Sequence, residues 1–174
     1  MPIEITMADR GMIQAVLLSL RPDDELEMAA CEINHDHLAF TIMRHKVFAF
    51  CAFDYDTGPI AIWGMLQRRS GVGAGFAFGT DQWGRALLPM LRQIRGFVLP
   101  FLDDNGFHRV EAAALAYRED VARFMALIGA EPEGVLRGYG TAGEDFISYR
   151  WLADEYRFAR SARRQAHEGT HASH

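Results

Sequence analysis

A chain of 174 residues with 49% hydrophobic and 24% charged residues has the make-up of a folded globular domain, not of a disordered or fibrous one. Its formal net charge of −5 runs against a nucleic-acid-binding domain, which is ordinarily basic. No apolar run nears the ~20 residues that a bilayer crossing needs. The opening Met1-Pro-Ile-Glu-Ile-Thr6 lacks the basic-then-apolar order of a secretory leader, so a cytoplasmic protein without a membrane span is expected. Cys31 and Cys51 each sit among apolar residues and read as reduced core positions, not as a disulfide framework.

In chain order, residues 2–6 alternate Ile3 and Ile5 with polar neighbours and predict a short strand. Asp9 is placed to cap a helix carrying Met12, Val16, Leu17 and Leu20 on one face. Pro22-Asp-Asp-Glu25 opens a second helix, with Pro at its start, acids in its first turn, and Leu26, Ala29, Ala30 and Ile33 expected inward. The state of residues 37–44 is left open. Residues 46–53 and 59–67 are apolar runs joined by Asp54-Tyr-Asp-Thr-Gly58, an antiparallel hairpin whose Asp residues serve the turn. Phe76–Phe78 reads as a strand, followed by a long helix over 81–103 that Pro89 and Pro100 should kink or split. A strand at 108–115, a helix at 118–128 ending at Gly129, and a hairpin of strands 133–139 and 145–151 complete the pattern. This order predicts an α+β protein with a mixed sheet in a domain spanning 1–152. Residues 153–174, with Arg157, Arg160, Arg163 and Arg164, read as an exposed basic helix whose last seven residues fray.

The stretch Gly71–Ala86 carries the strongest chemical signal. A strand breaks at Gly79-Thr80 and enters a helix whose first turn holds Gly84-Arg85-Ala86. Unpaired amides and the positive end of a helix dipole then face the end of a strand, an arrangement suited to a pyrophosphate. Close strand–helix packing is the plainer reason for glycines at these places. No Gly-x-Ser-x-Gly or Cys-x-x-Cys occurs. His35-x-His37 with His45 or Asp36 has no fixed metal geometry and reads as a surface turn. Trp63, Trp83 and Trp151 read as core or strand-edge aromatics.

The strand–loop–Gly-x-Ala–helix segment and the block Val110–Gly129, ending Arg123-Phe-Met-Ala-Leu-Ile-Gly-Ala130 before Glu133-Gly-Val-Leu136, resemble the GNAT acetyltransferase superfamily. Arg21-x-x-Asp24-x-x-Glu27, Gly58-Pro-Ile-Ala-Ile-Trp-Gly-Met65 and Phe78-Gly-Thr-Asp81 extend the resemblance to its phage branch, the internal virion protein A-like proteins. The resemblance covers residues 3–151. It implies a GNAT-like fold with a central, mostly antiparallel sheet of about six or seven strands flanked by helices.

It also implies acetyl-CoA as the acyl donor, and a small amine or a protein amino group as the acceptor. On this pattern the coenzyme would lie against Phe76, Ala77, Phe78, Gly79, Thr80, Gln82, Trp83, Gly84, Arg85, Ala86 and Arg118. The backbone of 76–78 would pair with the extended pantetheine arm. Asp81 stands where the superfamily has Gln or Arg, and a carboxylate there repels phosphate. Gln82 takes the lost role by a one-residue slip, and Arg85 offsets the charge in part.

Acyl transfer to an amine needs a base, an oxyanion donor and an acid for the leaving thiolate. The superfamily's helix tyrosine is replaced by Phe124 or Met125, its helix-start Asn by Arg118, and no acid lies on 71–79. Tyr117 is the candidate acid and Glu111 the candidate base. The bland roles beside these are a helix-capping Tyr packed on the core, and an ion pair from Glu111 to Arg109 or Arg118. Two functions follow from the resemblance. One is an acetyl-CoA-dependent N-acetyltransferase. The other is a catalytically inactive component of a phage-like particle that contacts other virion proteins.

Overall fold

The computed structural model describes residues 3–171, with side chains through residue 162; Met1, Pro2, the side chains of Arg163 and Arg164, and residues 172–174 lie outside the described residues. Seven strands form one sheet in the order β1 (Glu4–Met7), β2 (Lys46–Asp54), β3 (Gly58–Arg69), β4 (Val72–Gly79), β5 (Arg109–Leu115), β7 (Phe146–Leu152) and β6 (Glu131–Leu136). Only β4 and β5 run parallel; every other neighbour is antiparallel. A mixed sheet flanked by helices is therefore the observed architecture.

Strand alternation divides the apolar residues between two faces. Phe48, Phe50, Ala61, Trp63 and Met65 point to a core closed by α4 (Trp83–Gln93), α5 (Leu99–Asp104) and α6 (Glu119–Leu127). Ala49, Cys51, Ile62 and Phe78 point the other way, toward α1 (Arg10–Leu17), α2 (Pro22–Ala30) and α3 (His35–His45). Asp9 caps α1 by accepting from the Met12 amide, as its position predicts. Residues 35–45, open in the sequence, are helical and capped by Asn34. A terminal helix, α7, spans Ala153–His171.

The long helix predicted over 81–103 is interrupted, with a π-helical stretch at Ile94–Val98 between α4 and α5. Pro100 lacks the N–H that would bond four residues back and its ring crowds that carbonyl, which accounts for the widened turn just before it. Pro89 stays inside α4. The closing hairpin is displaced: β6 covers Glu131–Leu136 where 133–139 was expected.

The face of α2 differs from expectation in a way that bears on function. Leu26 is 56% exposed, whereas Asp24, Met28 and Ala30 are buried. The helix turns two carboxylates, Asp24 and Glu27, toward the sheet.

Candidate functional site

The site begins with a fork in the sheet. Pairing of β3 with β4 runs on to Ala61↔Gly79, but pairing of β4 with β5 stops after Val72↔Arg109, Gly73↔Val110 and Ala74↔Glu111. On the far side, β5 stays paired with β7 as far as Leu115↔Phe146. Beyond Ala74 and Glu111 the two arms separate around a cleft of about 750 Å³, within the usual range for a ligand site.

Two hydrogen bonds from α2 fix which backbone groups face this fork. Thr80 donates its amide to the Ile60 carbonyl, toward β3. Gly79, one residue earlier, faces the fork, where its N–H donates to Asp24 Oδ2 at 2.9 Å and its carbonyl accepts from the Arg21 amide at 2.9 Å. On the other arm the Leu115 amide donates to Glu27 Oε2 at 3.1 Å. Two carboxylates one helical turn apart thus strap the open end of the fork, one on each arm. The two-residue repeat of a strand then leaves the main-chain groups of Ala77 and Ala113 facing the cleft, and both residues line it.

A buried ion cluster supports the strap. Arg118, at the start of α6 and 3% exposed, reaches Asp24 at 3.0 Å, Asp120 at 2.9 Å and Glu27 at 3.6 Å. Arg21 adds contacts of 3.0 Å to Asp24 and 3.3 Å to Asp120. Burial opposes the charge on Arg118, but Asp120, Asp24 and Glu27 outweigh it and raise its pKa. The hydrogen bonds from Arg118 hold the Asp120 carboxyl down at about 2. Glu27 moves the other way: its burial lifts the carboxyl above the usual range against the pull of the Leu115 amide and Arg118.

At the wide end stands the start of α4. Thr80 accepts from the Gln82 amide through its hydroxyl and from the Trp83 amide through its carbonyl, and the Arg85 amide donates to the Gln82 carbonyl. Among the described residues, the amides of Asp81 and Gly84 find no acceptor, and a Cβ at Gly84 would meet nothing within 4 Å. Trp83 lies across the end of β4, so close that a Cβ at Gly79 would come within 2.4 Å of its ring. Phe124 of α6 meets the other side of that ring edge-on, with centroids 6.2 Å apart. The Arg21 guanidinium lies 4.4 Å from the ring centroid, and its Nε is buried with no partner among the described residues.

The residues named from the sequence fall into three groups. Ala77 and Gly84 present free main-chain groups at the fork and its mouth, and Trp83 forms a wall. Phe76 and Phe78 are paired through their backbones with Gly64 and Ile62 of β3, and the Gly79 amide is held by Asp24. Arg85 is ion-paired with Asp54, a turn residue with no exposed surface, and also bonds Gln82. Arg118 is locked in the buried cluster, and Ala86 is packed in the core.

Of the two catalytic candidates, Glu111 forms the ion pair with Arg109 at 2.7 Å. Tyr117 is 59% exposed and packs as neither core nor cleft wall. Glu111 lines the cleft, and so do Glu27 and Tyr149, which the sequence reading did not single out as catalytic candidates. Tyr149 is 5% exposed, and its burial keeps the phenol protonated to higher pH. The spacing Arg21-x-x-Asp24-x-x-Glu27 puts the three on one helix face but does not by itself tell a cleft wall from a solvated helix start. Among the described residues no group of three His, Cys, Asp or Glu is arranged to hold a metal, and no helix is long and apolar enough to cross a membrane.

Compared with family models and with curated proteins, the sequence matches none. Solved structures do match. A GNAT superfamily phosphinothricin acetyltransferase from Sinorhizobium meliloti, in complex with acetyl-CoA, aligns with a TM-score of 0.67 at 12% identity, over 87% of this chain and 89% of that one. An N-acetyltransferase from Staphylococcus aureus Mu50 aligns with a TM-score of 0.65 at 12% identity, over 88% and 99% of the two chains. The ribosomal-protein-S18-alanine N-acetyltransferase of Escherichia coli aligns with a TM-score of 0.61 at 14% identity, over 87% and 94%. The fold is therefore that of the GNAT acetyltransferases. These likenesses give the phage branch of the resemblance no support.

Proposed function

We propose that the protein is an acyl-CoA-dependent N-acyltransferase that seats acetyl-CoA in the fork between β4 and β5. The observation that carries this is the fork itself, which leaves the Ala77 main chain unpaired beside a cleft whose mouth holds the open amides of Asp81 and Gly84. The residues present fit such a ligand: an extended amide-bearing arm pairs with Ala77 as an added strand, and a pyrophosphate meets the start of α4. Beside Trp83 the Arg21 Nε–H is without a partner among the described residues, and it takes the part that Arg85 and Arg118 are too engaged to play. When bound, acetyl-CoA supplies the activated acyl group; the acceptor is an amine, free or on a protein. The reading as an inactive virion component draws on motif likeness, on Phe124 or Met125 in place of the helix tyrosine and on the carboxylate at Asp81, and no solved-structure likeness supports its phage part.

Calorimetry with acetyl-CoA tests the reading. Binding with a Kd on the order of micromolar is expected, and Gly84→Glu weakens it at least ~10-fold by placing a carboxylate beside the phosphates. Gly84→Ala, which adds a methyl group to open space and keeps the amide, leaves the affinity within about twofold. No heat at millimolar acetyl-CoA contradicts the proposal.

A further inference from the structure

We infer that the α2 side of the cleft accepts a primary amine carrying an apolar group, and that Glu27 is the base that takes the ammonium proton. The inference rests on the acyltransferase reading above. The cleft is lined on this side by Met28, Cys31, Leu38, Phe76 and Phe146, with Tyr139 at its rim, so the body of an acceptor meets mainly carbon and sulfur. Among these side chains Glu27 is the carboxylate projected by α2 beside the β5 arm, hydrogen-bonded to the Leu115 amide and two residues along from the free main chain of Ala113.

The charged groups closest to Glu27 have prior partners. Arg118 stands 3.6 Å from it, but shares its charge with Asp24 and Asp120. Glu111 is bound to Arg109. Arg68 lines the cleft from the exposed end of β3. Besides Arg118, Asp24 and Asp120, the neutral groups Cys31 at the end of α2, Tyr117 on the β5–α6 turn and Tyr149 on β7 lie near enough to feel the charge of Glu27. A partly buried carboxyl lifted above its usual range is the kind of base that still accepts a proton near neutral pH. The step balances as follows. The ammonium gives one proton to Glu27, and the freed nitrogen forms a bond to the acyl carbon while the carbon–sulfur bond breaks. The nitrogen's second proton neutralises the departing thiolate, and Glu27 returns its proton to solvent.

Glu27→Gln tests this, because Gln still accepts from the Leu115 amide and is not a proton acceptor. With acetyl-CoA and 2-phenylethylamine, the variant should bind acetyl-CoA within about twofold of wild type yet lose ~10²–10⁴-fold in turnover at neutral pH. Its rate should climb steadily as pH approaches the amine's own pKa, whereas the wild-type rate levels off earlier. Ethanolamine, matched in the amino group but polar, should be at least ~10-fold poorer in kcat/KM.

A second readout needs no turnover. The carboxyl carbon resonance of Glu27, assigned by its loss in Glu27→Gln, should titrate at lower pH when 2-phenylethylammonium is present than when it is absent. A variant within threefold of wild type with the same pH profile, a Glu27 resonance indifferent to the amine, or equal use of ethanolamine overturns the inference while leaving acetyl-CoA binding intact. A wild-type protein that does not bind acetyl-CoA overturns the earlier reading and this one together.

Discussion

Replacing Arg118 with Met should cost about 3–5 kcal/mol of folding stability at pH 7, the usual loss when one partner of a buried ion pair is removed. The side chain is almost wholly buried between Asp24, Glu27 and Asp120, and among the described residues no other cation pairs with Glu27. Arg21 remains beside Asp24 and Asp120, so the charge left stranded falls chiefly on Glu27. The Glu27 carboxyl, already raised by burial, can relieve the cost by taking up a proton, which makes the loss smaller at pH 5 than at pH 8. Arg118→Lys keeps the charge but not the fork of donors that reaches two elements at once, and should fall between the two. Urea unfolding across that pH range checks the series; a Met variant within 1 kcal/mol of wild type at pH 8 would show that the cluster holds nothing together.

Gly64→Val is expected to cost about 3 kcal/mol or more, at the upper end of what overpacking does in a core. A Cβ at this position would lie 2.4 Å from the Phe48 carbonyl oxygen on β2 and 2.7 Å from the Phe76 ring. The first obstacle is backbone in the middle of the sheet and cannot swing aside, so β2 and β3 must part. The second pushes Phe76, a cleft wall, toward the acceptor side. Gly73→Ala makes the useful contrast. Its Cβ meets the flexible thioether of Met65, with Sδ at 2.2 Å, and the loss should be closer to 1 kcal/mol. Thermal or urea unfolding of the two variants decides between them, and equal costs would mean that the sheet yields as easily as a Met side chain does.

Much of the fold was legible because its signals are local. Asp9 caps α1, Pro22 opens α2, and the Asp54–Gly58 turn with its flanking apolar runs marks the β2–β3 hairpin. The apolar run ending at Gly79-Thr80 and the Gly84-Arg85-Ala86 that follows marked the strand–helix junction directly. What local pattern does not carry is which partner a polar group meets. Arg85 looked free for phosphate because Asp54, 31 residues away in sequence, reads as a turn residue; in the fold the two are paired. Arg118 looked like a helix-start donor, but Asp24 and Glu27 of α2, with Asp120 of its own helix start, enclose it.

The acids of α2 illustrate the same limit most sharply. Asp24 and Glu27 in the first turns of a helix are favoured by the dipole whatever else they do, so their spacing alone reads as a solvated helix start. Only the sheet fork, created by long-range pairing that stops at Ala74↔Glu111, gives those carboxylates amides to hold. Leu26, one of the expected inward residues, is correspondingly turned to solvent.

The amide resonances of Ala77, Gly79 and Gly84 offer the most direct probe of a coenzyme in the fork. Titration with acetyl-CoA should shift Ala77 and Gly84 and slow their hydrogen exchange, while the Gly79 amide, already bonded to Asp24, changes little. If saturating acetyl-CoA leaves Ala77 and Gly84 where they were, the coenzyme does not lie between β4 and β5.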